Sequence, residues 1–188
     1  MAKIGLKNFY YSVATENATT GVLTYAGATK LAKAISSNFE PTVSDATLYA
    51  DDAIAERDAG VTGGTLTLGI DRYDIATAAA LLGHTVGTDG EMVSNVNDNA
   101  PYVGFGRVAV LMVDGVRKYR AVFFPKVKFQ EPTSDNTTKG ETTEFGTYEI
   151  SGTVIPPVDG NWRKEQTFDT EAAAVAYLVG LMGTAESE

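Results

Sequence analysis

The run LYADDAIAERDAGVTGGTLTLGIDRY, residues 48–73, contains three structural signals in succession. It begins with an acidic segment, whose carboxylates belong to Asp51, Asp52, Glu56 and Asp58. The glycine-rich residues 60–64 then predict a turn, because clustered glycines favour chain reversal. From Thr65 to Ile70 polar and apolar residues alternate, which predicts a strand with one buried face.

Helical signals follow this strand and recur near the end of the sequence. Asp74 directly precedes IATAAALLG, so we predict a helix that Asp74 caps and Gly83 terminates. A second helix is predicted over residues 171–182, EAAAVAYLVGLM, after the capping residue Thr170. Its apolar stripe consists of Val175, Leu178, Val179 and Met182. We expect this stripe to dock on a sheet rather than on a separate partner.

The strongest β signal consists of two apolar runs, YVGFGRVAVLMV and VRKYRAVFFPKVKF, joined by Asp114-Gly115. This arrangement predicts a β-hairpin, because glycine readily adopts the positive φ of a tight turn. In the second arm, alternation predicts one apolar face: Tyr119, Ala121, Phe123, Val127 and Phe129. The other face would carry four cations: Lys118, Arg120, Lys126 and Lys128.

The four cations on one strand have three possible interpretations. They form a solvated strand face, or they contact an acidic surface such as residues 51–58 of another copy. Nucleic acid is a third possible partner, although the net charge of −9 disfavours binding through surface cations. We therefore regard Asp51, Asp52, Glu56 and Asp58, with Lys118, Arg120, Lys126 and Lys128, as candidate subunit contacts.

Composition indicates one folded domain spanning residues 1–188. The chain is 44% hydrophobic and 21% charged, which is typical of a globular protein. It lacks cysteine, so disulfides and thiolate metal sites are excluded. The sequence has no signal-peptide-like core and no apolar run of about 18 residues, so we expect a soluble, unexported chain without membrane insertion. Within the domain we distinguish an N-terminal arm (about 1–15), loop regions 83–99 and 132–144, and the C-terminal helix 171–182.

No catalytic, cofactor-binding or metal site is predicted. His84 is the only histidine, and no cysteine or convincing nucleophile accompanies it. Asp51 and Asp52 are neighbours, so on a strand their side chains would point to opposite faces. Gly104 and Gly106 lie in a predicted strand and lack the third glycine of a phosphate-binding loop. We expect the chain not to be an enzyme.

The sequence NVNDNAPY, residues 95–102, contains oxygen-rich side chains and resembles the calcium-binding linker of cadherin domains. Asn95 stands where that pattern has an aspartate. The segments ERDAG and IDRY also occur in the opposite order to the comparable cadherin motifs. An immunoglobulin-like or cadherin-like, calcium-dependent adhesion module is therefore the alternative hypothesis.

An ordered series of segments accounts for most of the chain. It consists of LYADDAIAE, GGTLTLGIDRYD, an Ala/Leu helix ending in LLG, APYVGFG, KYRAVFFPKVKF, TKGETTEFGTYEISGT and GNWRKEQTFDTEAAAVAYL. This series resembles the major tail proteins, or tail tube proteins, of long-tailed, non-contractile bacteriophages. The resemblance extends from about residue 8 to residue 181.

The resemblance implies a mainly β (α+β) fold, an antiparallel β-sandwich or partly rolled barrel flanked by one or two helices. It implies hexameric rings that stack around a tape measure protein into a tube, through which DNA passes without specific binding. The other implied partners are the tail terminator and distal tail or baseplate proteins. The implied location is the virion tail, assembled in the bacterial host cytoplasm. Because an acidic lining would repel phosphate, we expect the bore of the tube to be predominantly negative.

Overall fold

The computed structural model describes residues 2–50, 53–133 and 146–183. Strands predominate in these ranges, as the alternating sequence patterns predict. The strands are β1 (Ala2–Glu16), β2 (Leu23–Tyr25), β3 (Thr29–Lys30), β4 (Ala34–Ala50), β5 (Ala53–Ile70), β6 (Thr85–Val86), β7 (Met92–Val93), β8 (Tyr102–Val113), β9 (Val116–Phe129), β10 (Tyr148–Val154) and β11 (Lys164–Phe168). The helices are α1 (Ile75–Leu82) and α2 (Glu171–Met182).

Nine of the described strands form one antiparallel sheet in the order β2-β1-β8-β9-β10-β5-β4, with β3 beside β1 and β11 beside β9. One edge of β9 pairs with β8, whereas its other edge pairs first with β11 and then, near its end, with β10. The sheet bends there, and its two halves enclose an apolar core. The prediction of a mainly β, antiparallel sandwich or partly rolled barrel flanked by helices is confirmed.

The main core lies between the two halves of the sheet. Both halves and α1 contribute fully buried side chains, among them Phe9, Leu66, Leu68, Ile70, Leu81, Phe105, Phe124, Val127 and Ile150. The alternation predicted for residues 65–70 is thus confirmed. Gly83 ends α1 in the left-handed conformation, with φ of 78°. Asp74 occupies the predicted N-cap position, but its side chain makes no capping hydrogen bond.

Helix α2 covers the outer face of the sheet, as predicted. Its Ala174, Leu178 and Met182 are buried against Val108, Ala121 and Phe123 of β8 and β9. A side chain at position 106 would crowd this helix, because a Cβ there would lie 2.9 Å from Leu178 Cδ2. The predicted stripe needs one correction. Val179 is not part of the packed cluster, and Leu181 packs against the cluster in its place.

The β4–β5 hairpin extends well beyond the rest of the sheet. Its register runs from Ala34↔Ile70 to Ala50↔Ala53, whereas β10 pairs with β5 only between residues 64 and 70. The segments 41–50 and 53–63 therefore form a two-stranded extension, here called the ribbon. At about 3.3 Å per residue, the ribbon is about 30 Å long.

The predicted turn at residues 60–64 is wrong, because these residues continue β5. The glycines instead allow a β-bulge and the close approach of a neighbouring side chain. The register skips Thr62 between Thr42↔Gly63 and Val43↔Val61, and Gly63 has φ of 155°. A Cβ at Gly64 would lie 2.6 Å from the ring of Phe39.

A second bulge changes which residues share a face of β9. Val103 pairs with Val127, but Phe105 pairs with Phe124, so β9 contains one extra residue near Pro125. Beyond the bulge, Val127 joins the main core with Phe124, whereas Phe123 faces α2. The single apolar face predicted from residue 119 to residue 129 is therefore wrong.

Candidate assembly surfaces

The ribbon presents unpaired backbone edges. Strand β4 is the last strand of the sheet, and over residues 53–63 strand β5 has no described partner other than β4. Unpaired N–H and C=O groups along an exposed strand are a template for pairing with another chain. No proline lies within residues 53–63, and the only proline on the β4 side is Pro41 at the base.

Apolar side chains are exposed on the ribbon as well. Val43 and Val61 pair across the two strands, and their exposed fractions are 53% and 38%. Residues 41–63 also contain five acidic residues and one basic residue. The ribbon therefore combines free backbone edges with a negative charge and exposed valines, a combination suited to contact with another protein surface.

The structure separates the four predicted cations. Lys118 and Arg120 precede the β9 bulge, and Lys126 and Lys128 follow it on the opposite face of the strand. The predicted single basic face is therefore wrong. Each cation already has an intrachain contact: Lys118 with Asp169, Arg120 with Glu165, Lys126 with Glu16 and Lys128 with Asn99.

The acidic partners predicted for these cations are described only in part. Asp51 and Asp52 lie outside the described residues. Glu56 and Asp58 belong to the β5 side of the ribbon, where they pair with Leu48 and Ala46 respectively. Their predicted pairing with another copy stays a prediction.

A cluster of arginines surrounds Glu165. Arg163 Nε lies 3.0 Å from Glu165 Oε1, and Arg120 Nη1 lies 3.9 Å from Glu165 Oε2. Arg107 lies in the same row of the sheet, because Val122 pairs with Arg107 on one side and with Glu165 on the other. These three arginines and Glu165 are here called the arginine cluster. The side chains of Arg120, Arg163 and Glu165 remain partly exposed.

Arg107 also connects the two halves of the rolled sheet. Its Nη1 donates a 3.0 Å hydrogen bond to the backbone carbonyl of Ser37 on β4. Burial lowers the pKa of Arg107, and Glu165 raises it in part. The Nε of Arg107 and the Oγ of Ser37 are buried without hydrogen-bond partners among the described residues. The guanidinium of Arg107 is thus held by a backbone carbonyl.

Stacked aromatic rings contact the arginine cluster through Arg163. Trp162 stacks on Phe39 with ring centroids 5.3 Å apart, and Phe39 contacts Phe124 at 5.1 Å. The guanidinium of Arg163 lies 4.7 Å from the centroid of Trp162. Of these residues, only Arg120 was among the predicted contacts. Arg107 lies on β8, whereas Arg163 and Glu165 lie around the start of β11, and their proximity depends on the pairing of β9 with both β8 and β11.

Lys128 lines an open cleft of about 790 Å³, and Lys126 contacts two other residues of the same lining, Glu16 and Tyr102. Lys126 Nζ lies 2.7 Å from Glu16 Oε2 and 4.2 Å from the centroid of the Tyr102 ring. Lys128 Nζ donates to Asn99 Oδ1 at 2.7 Å. Glu16 therefore compensates the charge of Lys126 within the subunit, whereas Lys128 is held by a neutral amide oxygen.

His84 connects three segments through its two ring nitrogens. Nδ1 lies 2.8 Å from Asp98 Oδ2, and Nε2 lies 3.1 Å from Glu131 Oε2. The side chain is only 8% exposed. Both nitrogens can donate to carboxylates only in the imidazolium form. These hydrogen bonds raise the pKa of His84 above its ordinary value of 6.5.

We predict that His84 makes the free energy of unfolding depend on pH. Because its pKa is raised by folding, the stabilisation is fully present below about pH 6.5 and is lost as pH rises through the folded-state pKa. The unfolding free energies of the wild type and His84→Gln should differ by about 1 kcal/mol more at pH 6 than at pH 9. Denaturant unfolding of both proteins at the two pH values measures this difference. A difference that does not change with pH would contradict the imidazolium assignment.

The Asn-rich loop before β8 uses its oxygens within the chain. Asp98 Oδ2 accepts a hydrogen bond from the backbone N–H of Asn95, and Asn95 Oδ1 accepts one from the N–H of Asn97. The first of these bonds, followed by that from His84, lowers the pKa of Asp98. Among the described residues, no group of three or more histidine, aspartate or glutamate side chains is arranged to hold a metal ion. Calcium binding by this loop stays an alternative prediction.

Neither α1 nor α2, the helices of the described ranges, is long and apolar enough to cross a membrane. Comparison with protein-family models finds no match to this chain. Comparison with curated proteins finds no significant match either. The structure thus establishes the fold class, and the function is inferred from the surfaces described above.

Proposed function

We propose that this chain is a tail tube protein, a structural subunit that assembles into stacked rings to form the tail tube of a long-tailed, non-contractile bacteriophage. The observation that carries the proposal is the ribbon, whose backbone edges are unpaired over about ten residues in each strand. A monomeric protein gains nothing from such an edge, whereas a self-assembling subunit uses it for pairing. The ordered sequence segments that resemble major tail proteins support the same function.

The architecture suits a ring subunit. A rolled sheet packed with aromatic and aliphatic side chains forms a rigid body, and the ribbon extends from it far enough to reach a neighbouring subunit. We expect hexameric rings that stack around a tape measure protein. The net charge of −9 supports a predominantly negative bore, since a negative lining would repel the phosphates of passing DNA.

Electron microscopy of the purified full-length protein tests this function directly. We expect negatively stained samples to contain rings or tubes of uniform diameter, with their abundance increasing with protein concentration. Sedimentation velocity should show the same concentration dependence. A protein that remains monomeric at high concentration, and that shows calcium-dependent thermal stability, would contradict the proposal and favour the adhesion module.

A further inference from the structure

Three exposed lysines line one small pocket beside strand β1. The pocket measures about 180 Å³, and its lining consists of Leu6, Lys7, Asn8, Lys30, Ala32, Lys33 and Ala34. These seven residues are here called the lysine pocket. Three like charges around one opening repel each other, so the pocket favours a negatively charged occupant.

The described residues compensate only part of the charge of the lysine pocket. Lys7 Nζ lies 2.9 Å from Glu171 Oε2. This hydrogen bond lowers the pKa of Glu171, and the charge of Lys30 adds to the effect. Asp71 accepts a 2.8 Å hydrogen bond from the backbone N–H of Lys33. Neither Lys30 nor Lys33 forms an ion pair with a described residue, so both charges are available to a partner.

The loop between α1 and β8 carries two exposed carboxylates on a short hairpin. Among the described strands, β6 and β7 pair only with each other. The backbone N–H of Gly87 donates to Glu91, and that of Gly90 donates to Gly87, so residues 87–91 form a defined turn, here called the hairpin tip. Asp89 and Glu91 are exposed on this tip, and neither forms an ion pair with a described residue.

The hairpin tip and the lysine pocket lie apart on the subunit. His84 and Asp98, which are 2.8 Å apart, close the base of the hairpin near Tyr102, the first residue of β8. The lysine pocket lies where Lys7 pairs with Val108, six residues or about 20 Å further along β8. The tip begins three residues beyond His84, a reach of only about 10 Å. A second copy is therefore the partner through which the two surfaces meet.

We propose that the lysine pocket binds the acidic hairpin tip of a second copy of this chain. The inference rests on the proposed tube function and specifies a contact between successive copies. Two different, complementary surfaces on one subunit produce head-to-tail contacts, and such contacts continue as an open stack. Each exposed ion pair contributes little by itself. A ring repeats the contact in every subunit, so that the individual contributions add.

Apolar side chains beside both surfaces favour a protein partner over nucleic acid. Val86 and Val93 flank the hairpin tip, and their exposed fractions are 43% and 51%. The lining of the lysine pocket includes Leu6, Ala32 and Ala34. A net charge of −9 also repels a polyanion from the subunit as a whole. The occupant that fits is a short acidic turn with apolar neighbours.

Two charge-reversal variants, studied separately and mixed, test this contact. The tip variant combines Asp89→Lys with Glu91→Lys, and the pocket variant combines Lys30→Glu with Lys33→Glu. Each alone should raise the protein concentration required for assembly about tenfold or more, because like charges then meet. An equimolar mixture should assemble at a lower concentration than either variant, because each altered tip finds a pocket of opposite charge. Sedimentation velocity and negative-stain microscopy measure assembly, and circular dichroism reports folding.

Lys164→Glu is the matched control for Lys30→Glu as a single change. Both lysines are exposed on short strands, but Lys164 does not line the lysine pocket. Only Lys30→Glu should raise the concentration required for assembly. Added salt should weaken assembly of the wild type, because exposed ion pairs are screened. If the pocket variant fails to fold, Lys30→Gln with Lys33→Gln replaces it and should have a smaller effect in the same direction.

The outcomes separate this inference from the function on which it rests. If the wild type and both variants assemble at the same concentration, the contact is wrong and the tube function stands. If only the pocket variant is impaired, or if the mixture assembles no better than its components, the hairpin tip is not the occupant. If the wild type binds duplex DNA and the pocket variant loses that binding but assembles normally, the pocket binds phosphate instead. A folded wild type that never assembles overturns both proposals.

Discussion

Removing the ribbon should abolish assembly and leave the subunit folded. The change replaces residues 44–60 with Asn-Gly, so that a tight turn joins the paired residues Val43 and Val61. Leu66, Leu68 and Ile70, which are buried in the core, lie outside the deletion. We expect a well-folded monomer at concentrations where the wild type forms rings or tubes, as measured by sedimentation velocity and negative-stain microscopy.

A pair of point substitutions provides the matched control for the deletion. Val43→Lys places a charge on the ribbon, and Val116→Lys makes the same change at the β8–β9 turn. The two valines are similarly exposed, at 53% and 55%. Only Val43→Lys should reduce assembly, because a charge on an edge strand disfavours pairing with another strand. Tubes that form normally from the deletion variant would contradict the role of the ribbon.

The sequence was sufficient to predict the fold class because the strands alternate clearly. The alternation of residues 65–70 and the Asp114-Gly115 hairpin are both present in the structure. The local conformation of glycine was harder to predict. Residues 60–64 have the composition of a turn, but pairing with β4 keeps them extended, and their glycines permit a bulge and the close approach of Phe39.

The sequence also contains a signal for the β9 bulge, which makes the predicted single apolar face of that strand wrong. Proline has no N–H to donate to a ladder and is confined to edges or bulges, so Pro125 in FFPKVKF indicates that the alternation changes phase there. Had that phase change been applied, Lys126 and Lys128 would have been separated from Lys118 and Arg120. The predicted basic face depended on an unbroken period of two.

The arginine cluster could not be predicted from local patterns. Arg107 lies on β8, Arg120 lies on β9 and Arg163 lies directly before β11. Only the sheet order brings them together. The one sequence signal for Arg163 is its position after Trp162, since arginine often stacks on tryptophan. Cross-strand clusters of this kind depend on register, and register is set by bulges that the sequence indicates only indirectly.

Truncating Leu178 should destabilise the subunit by about 2–5 kcal/mol, because a buried leucine is replaced by a cavity. Leu178 is completely buried between α2 and the outer face of the sheet, where Val108 and Phe123 contact the helix. Leu178→Ala should therefore lower the midpoint of denaturant unfolding strongly. The measurement is made at concentrations below those at which the protein assembles, so that the stability of the isolated subunit is compared.

Gly180→Ala on the same helix is the control, and its effect should have the opposite sign. A Cβ at Gly180 meets no atom within 4 Å, so alanine raises helix propensity without a steric cost. Replacing an exposed helical glycine with alanine stabilises by about 0.5–1 kcal/mol. If α2 served mainly to bind a separate partner, Leu178→Ala would leave the unfolding midpoint of the monomer unchanged. A large loss with Leu178→Ala and a gain with Gly180→Ala together establish that docking of α2 is part of the subunit's own core.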